Sequence, residues 1–406
     1  MYKTIREEVL NNIEENSVVV VFSGKALRKS EDSYYKFDAN RNFFYLTGIN
    51  RENFIYFYNN IEKKREILFI EKPNEKIEKW IGKYLKEEHA KEISGIEKVQ
   101  YKDNFKDYFS KIMKENKIEN VYLDIKTWDI DEPLRLAQDF AKLVVEKFPF
   151  VKIRNINNQI QEKRLIKNNK EIELTQKAID ITKEAVENML KNSKPNVYEF
   201  ELIAHYNFIL GLNGVETSFD TIAASGENGV ILHYIENNDI AKDGELVLCD
   251  LGVKYEEYNS DISRTFPVSG KFSERQKEVY EVVLRTNKKI IDKSKPGITL
   301  DKLNNIAKEE LLKGCRELGI IEKDEDLQKY YYHSVSHFLG LDVHDVGDKN
   351  IKLKEGMLIT VEPGLYIEEE KIGIRIEDDI LITSEGSKNL SKNICKEVEE
   401  IENLMK

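Results

Sequence analysis

Apolar positions along this chain follow two rhythms, and the change between them divides it. Up to about residue 160, short runs rich in Val, Ile, Phe and Tyr recur: SVVVVF (17–22), FFYLTGI (43–49), FIYFY (54–58), EILFI (66–70) and NVYLD (120–124). Their length and side chains predict strands. Between them, 74–94 and 104–116 carry charges at helical spacing. The alternation predicts an α/β domain over 1–160, and no catalytic constellation is visible in it.

The polar, charged segment INNQIQEKRLIKNNKEIE (156–173) is the candidate boundary. After it the helical patterns lengthen. One helix is expected over 170–191, ended by the break at 193–195, and a second over 198–212, closing near Gly211 and Gly214. Ser273 with Gln276 forms a capping box for a helix running to about 293. Pro296 and Gly297 stop it, and a further helix runs from Thr299 to Gly319. Strand patterns cluster at 246–253, 260–268, 357–362 and 372–383. Two helix pairs, each associated with strands, predict a sheet covered by helices in two related halves. The second domain, 161–406, is therefore expected to be α+β.

Composition narrows the partners. A chain of 406 residues with 40% apolar side chains predicts about two globular domains. A net charge of −11, spread along the chain, repels phosphate backbones and argues against nucleic-acid binding. No apolar run approaches the roughly 18 residues of a membrane span. The start, MYKTIREEVLNNIEEN, reads as a charged amphipathic helix rather than a signal peptide. Cys249, Cys315 and Cys395 are widely spaced, which argues against a disulfide framework or structural zinc and fits a reducing, cytoplasmic setting.

The chemistry gathers in the second half. Asp250 (LVLCDLG), Asp261 (NSDISRTF), Glu362 (TVEPG) and Glu377 (GIRIEDD) each lie in or beside an apolar strand pattern. An unpaired carboxylate is expensive to bury there, and a pair of divalent cations would offset that cost. Leu246, Leu248 and Asp250 share one strand face, and Cys249 points the other way as a buried thiol. A hairpin centred near Tyr255 and Glu256 would bring Asp250 and Asp261 onto neighbouring strands. Arg375 shares a face with Glu377 and reads as the residue orienting a ligand carboxylate, or as a plain ion pair with Glu377. Asp378 and Asp379 read as a solvated strand end. Three of the six histidines, His333, His337 and His344, fall within twelve residues. HSVSH lacks the glutamate of HExxH, and Gly340 weakens a helix there, so a zincin site is not expected. His233 resembles a strand-end histidine; His89 and His205 read as helix-surface residues.

The segments DLGVKYEEYNSDISRTFPVSGKF, SHFLGLDVHDVG, TVEPGLYI and GIRIEDDILIT resemble, in order and spacing, the pita-bread metallopeptidases related to methionine aminopeptidase and prolidase. Within them the likeness is strongest to the aminopeptidase P branch, and FDANRNFFYLTGIN and SFDTIAASGENGVILHYIEN extend it to nearly the whole chain. The resemblance implies a pita-bread catalytic domain behind an aminopeptidase P type amino-terminal domain. It implies metal ligands Asp250, Asp261, His337, Glu362 and Glu377. Asp250 would chelate one of two divalent ions, Asp261 and Glu377 bridge both, and His337 and Glu362 complete the other. His233 and His344 correspond to histidines that contact substrate, and His333 and Arg375 to residues lining the site. Glu362 would also shuttle the proton.

Oxygen donors with one imidazole favour Mn2+, with Co2+, Zn2+ or Fe2+ as alternatives. The activity implied is release of the first residue from peptides with proline second, through a hydroxide generated between the metals. A homo-oligomer, dimer or tetramer, is implied by kinship alone. Xaa-Pro dipeptidase shares the ligands and is the nearest rival. A metal-free creatinase-like hydrolase or a binding protein with lost ligands is disfavoured, because every ligand is retained. The connection YIEEEKIG is shorter than in some members, which would reshape the pocket rim without touching a ligand.

Overall fold

The computed structural model describes residues 1–61, 65–127, 129–133 and 135–406. It divides into two compact units, Met1–Arg164 and Leu165–Lys406. In the first, six strands form one mixed sheet in the order Val99–Tyr101, Arg65–Ile70, Ile55–Asn59, Ser17–Phe22, Asn120–Leu123, Lys152–Asn155. Ser17–Phe22 lies between antiparallel and parallel neighbours, and Val18 to Val21 are wholly buried. An unbroken valine run is what a strand covered on both faces requires. Phe57, Phe69, Phe105 and Phe109 fill one side of this core.

FFYLTGI is not a strand. Arg41–Thr47 is a helix, started by Asn40, whose side chain accepts from the Phe43 N–H at 2.9 Å, and closed by Gly48 at φ 71°. Asn42 to Thr47 are all buried, and a short run buried all round has no periodicity to separate strand from helix. The helical pattern at 74–94 is likewise two helices, Glu75–Ile81 and Glu87–Ser94, parted after Gly82. The strand Lys152–Asn155 and the helices Leu136–Lys147 and Asn157–Arg164 were not anticipated.

The second unit carries the two expected helix pairs: Asn169–Lys191 with Glu199–Asn213, and Glu274–Lys293 with Leu300–Glu317. The Ser273 capping box is present, with the Gln276 N–H donating to Ser273 Oγ and the Ser273 N–H to Gln276 Oε1. The strands form small antiparallel sheets. One is ordered Ile262–Pro267, Leu246–Leu251, Ile222–Ser225, and another Leu358–Val361, Asp378–Ile382, Ser387–Asn389. One core packs Asn169–Lys191, Glu199–Asn213 and Glu274–Lys293 against the first sheet, and another packs Leu300, Leu303 and Ala307 against the second. Among the described residues no helix is long and apolar enough to cross a membrane.

Candidate metal centre

Three local decisions of the chain build the site. Leu246–Leu251 pairs with Ile262–Pro267 in the register Asp250↔Ser263, so Asp250 and Asp261 come to one end of the pair. The hairpin turns on Glu256 and Glu257, both at positive φ, one residue beyond the expected centre. The expected strand 246–253 breaks at Gly252, where a Cβ would lie 2.0 Å from the Ser260 carbonyl oxygen, so only glycine lets the strands close there.

The expected strand 372–383 is also two strands. Ile372–Arg375 pairs with Gly364–Ile367, and Asp378–Ile382 pairs with Leu358–Val361 in the register Val361↔Asp378. Glu377 sits in the break between them, and Glu362 just past the end of the partner strand. The extended segment around His337 lies against Leu358–Val361: the Thr360 N–H donates to the His337 carbonyl at 2.9 Å and the Glu362 N–H to the Val335 carbonyl at 2.9 Å. The Glu377 N–H donates to the Ser263 carbonyl at 3.1 Å, joining the two halves.

The side chains then converge. His337 Nδ1 lies 3.0 Å from the Phe338 carbonyl, so it is the protonated nitrogen and Nε2 faces inward. Nε2 is 3.3 Å from Asp261 Oδ2 and 3.4 Å from Glu362 Oε1. Ligand atoms of Asp261, His337 and Glu377 all lie within 4.8 Å of one another. Asp250 Oδ2 accepts from Arg375 Nη2 at 2.7 Å, while its buried Oδ1 has no hydrogen-bond partner among the described residues. All nine residues singled out from the sequence line one cavity of about 400 Å3.

Electrostatics shows what such a site demands. Burial pushes the Asp261 carboxyl up to about 6 and Glu362 to about 7, and raises Glu377 well above its ordinary range, with neighbouring carboxylates adding to the rise. His337 goes the other way: burial disfavours its cation, but the hydrogen bond to Asp261 and the charge of Glu362 outweigh this and hold it at about 9. Burial lowers His333 and His344 to about 4, so both rings are neutral at pH 7. Converging carboxylates that resist ionising, an imidazole Nε2 aimed among them that a cation would deprotonate and an orphaned carboxylate oxygen together fit divalent cations.

Around this centre the structure corrects several expectations. Arg375 is buried and its ion pair goes to Asp250, not Glu377; its Nε also donates to Ser263 Oγ at 2.8 Å. Asp378 and Asp379 are not a solvated end but fully buried. Asp378 pairs with Arg264 and Lys396, and Asp379 accepts from the Asp261 N–H at 3.2 Å. His233 lies in an irregular, exposed stretch after Gly226–Val230, not at a strand end. His89 is exposed and His205 half-buried, both on helices, and Cys249 is buried.

Sequence reasoning missed Tyr366. Its hydroxyl accepts from Arg375 Nη1 at 3.1 Å and lies 2.8 Å from His333 Nε2. With His333 Nδ1 2.9 Å from the Ser334 carbonyl, both ring nitrogens are engaged by the protein. A signal was available: Glu362, Gly364 and Tyr366 alternate along one face, and a Cβ at Gly364 would meet the Tyr366 hydroxyl at 2.6 Å.

Comparison with known proteins places the chain among relatives. The profile of metallopeptidase family M24 matches residues 173–384, and that of the aminopeptidase P N-terminal domain matches 2–122. The Xaa-Pro aminopeptidase of Haemophilus influenzae is 34% identical, over 98% of this chain and 96% of its own. A solved structure of a putative aminopeptidase P from Bacillus anthracis superimposes with a TM-score of 0.98 at 46% identity, covering 100% of this chain and 97% of the other. The Xaa-Pro dipeptidase of Pyrococcus horikoshii is 39% identical, but over 63% of this chain and 71% of its own.

The chain belongs to metallopeptidase family M24. It is a hydrolase, with an aminopeptidase P type amino-terminal domain and a pita-bread catalytic domain.

Proposed function

We propose that this protein releases the amino-terminal residue from peptides whose second residue is proline, using two divalent cations. The observation that carries the reading is the convergence of Asp261, Glu362 and Glu377 on the inward-facing His337 Nε2, in a chain related to Xaa-Pro aminopeptidases over nearly its full length. Asp250, Asp261, His337, Glu362 and Glu377 would hold the metals, with Mn2+ favoured by the mostly oxygen donor set and Co2+, Zn2+ or Fe2+ as alternatives. When bound, such ions lower the pKa of a water and polarise the peptide carbonyl.

The protein's own groups would do the rest. Arg375 fixes Asp250 through its 2.7 Å contact and so sets the angle at which that carboxylate is presented. Glu362, held near His337 and accepting from Thr360 Oγ1 at 3.3 Å, takes the proton of the attacking water and returns it to the leaving imino nitrogen. His344, neutral and 4.2 Å from the His337 ring between centroids, steadies the developing oxyanion together with His233. His333 and Arg375 line the wall. A cytoplasmic setting is supported by three free thiols. Assembly as a dimer or tetramer rests on kinship alone.

A second reading, Xaa-Pro dipeptidase, is supported by the higher identity of the Pyrococcus horikoshii enzyme over the matched part. The amino-terminal unit favours the aminopeptidase, since residues 2–122 match the aminopeptidase P N-terminal domain. The experiment is cleavage of Ala-Pro and Ala-Pro-Ala-Ala by metal-stripped protein, with and without added Mn2+, followed by mass spectrometry. Metal-dependent release of alanine from the longer peptide supports the proposal. Cleavage of the dipeptide alone would make the protein a dipeptidase.

A further inference from the structure

Glu199 begins the helix Glu199–Asn213 and is wholly buried, yet among the described residues it has no ion-pair partner. A carboxylate in that position must be met by donors, and here all of them come from one stretch of chain. Oε1 accepts from the Ser225 N–H at 2.7 Å, from Ser225 Oγ at 2.7 Å and from Asn228 Nδ2 at 3.1 Å. Oε2 accepts from the Tyr234 hydroxyl at 2.8 Å and from the Asp239 N–H at 2.9 Å. The helix N-terminus adds favourable potential for the negative charge.

These donors mark the beginning, middle and end of 225–239, a stretch without long regular structure that carries His233 into the cavity. Among the described residues none hydrogen-bonds to the His233 ring, so its place is set by the backbone below it. Tyr234, the next residue, is buried and tied to Glu199. Asn237 fixes the far side, donating to the Thr221 carbonyl at 2.9 Å and accepting from the Ala223 N–H at 2.8 Å. Glu199 itself is absent from the cavity wall.

We propose that Glu199 is a positioning residue of the substrate pocket, acting through His233 by clamping the segment that carries it. The proposal rests on the reading of His233 as a substrate contact. A glutamine at 199 keeps the shape but sets an amide N–H2 against donors that now meet an oxygen, the Asp239 N–H among them.

The test is a double-mutant cycle on the Mn2+-loaded full chain with Ala-Pro-Ala-Ala, measuring kcat, KM and metal content for Glu199→Gln, His233→Ala and the pair. The expected result is a loss of roughly tenfold or more in kcat/KM for Glu199→Gln alone at unchanged metal content, and less than about twofold in the His233→Ala background. Equal factors in the two backgrounds, or unchanged kcat/KM, would overturn the proposal. Should Glu199→Gln fail to fold, Tyr234→Phe, which removes one of the donors, runs the same cycle with a smaller expected factor of about three. Hydrogen exchange decides the matter independently of catalysis: Glu199→Gln or Tyr234→Phe should speed exchange over 226–239 and leave 335–362 unchanged. If the wild type releases no alanine, the proposed function falls, while exchange confined to 226–239 still upholds the clamp and uniform exchange overturns it.

Discussion

Loading this site with metal should expel protons, and the structure sets the number. In the metal-free protein at pH 7, His337, held at about 9, carries a proton, while burial and then the charge of Asp261 raise Glu377 well above its ordinary range. Glu362, pushed by burial to about 7, carries one half the time, and Asp261, at about 6, seldom does. Ligands must be deprotonated to bind, so His337, Glu362 and Asp261 together release roughly one and a half protons per site filled at pH 7, rising to between about two and three near pH 5.5, and any proton held by Glu377 adds to this. Apparent affinity should fall by at least about one and a half to two orders of magnitude over the first pH unit below 7. Calorimetric titration of metal-free protein with Mn2+ in buffers of different ionisation enthalpy counts these protons directly. A release below about one proton at pH 7 would refute the account of this site as a metal-demanding cluster of reluctant carboxylates.

The same packing sets other outcomes. Raised folded-state values at Glu362 and His337 contribute stability at low pH that is lost as pH rises through about 7 and about 9, so the melting temperature of metal-free protein should fall between pH 6.5 and 9, and Mn2+ should abolish the fall. A flat metal-free profile over that window would contradict it. Glu362→Gln should lower kcat by roughly a hundredfold or more; near-native turnover at full metal occupancy would remove Glu362 from the proton transfer. Asp378→Ala leaves Arg264 and Lys396 facing each other in the interior and should destabilise by about 3–5 kcal/mol in urea titration. A change under about 1 kcal/mol would mean that water screens the pair. Gly373→Ala would place a Cβ 1.9 Å from the Gly229 carbonyl oxygen, backbone against backbone. It should loosen 226–239 to hydrogen exchange and depress activity, and native behaviour would show that the turn Gly226–Val230 and the strand Ile372–Arg375 can part freely.

Some elements were plain in the pattern of residues because the forces that form them are local. The Ser273 box and the helix it starts need only neighbours three and four residues away, and the valine run at 17–22 announces its own burial. The helix Arg41–Thr47 was illegible for the opposite reason: buried on every side, it has no polar face to reveal a period. Asp378 and Asp379 looked like surface residues because the groups that meet them, Arg264 and Lys396 for one and the Asp261 backbone for the other, come from segments distant in sequence.

The sequence by itself determined which groups could do chemistry here. Carboxylates beside apolar strand patterns and histidines in one short segment already implied cations, because burial penalises such charges whatever the fold. Only the tertiary structure decided how those groups are held. The breaks at Gly252 and around Glu377 depend on contacts across strands, as do the pairing of Arg375 with Asp250 rather than Glu377, the Tyr366 bridge to His333 and the grip of Glu199 on 225–239. Most of these join residues far apart in the chain, and no local propensity encodes a partner that folding has yet to bring near.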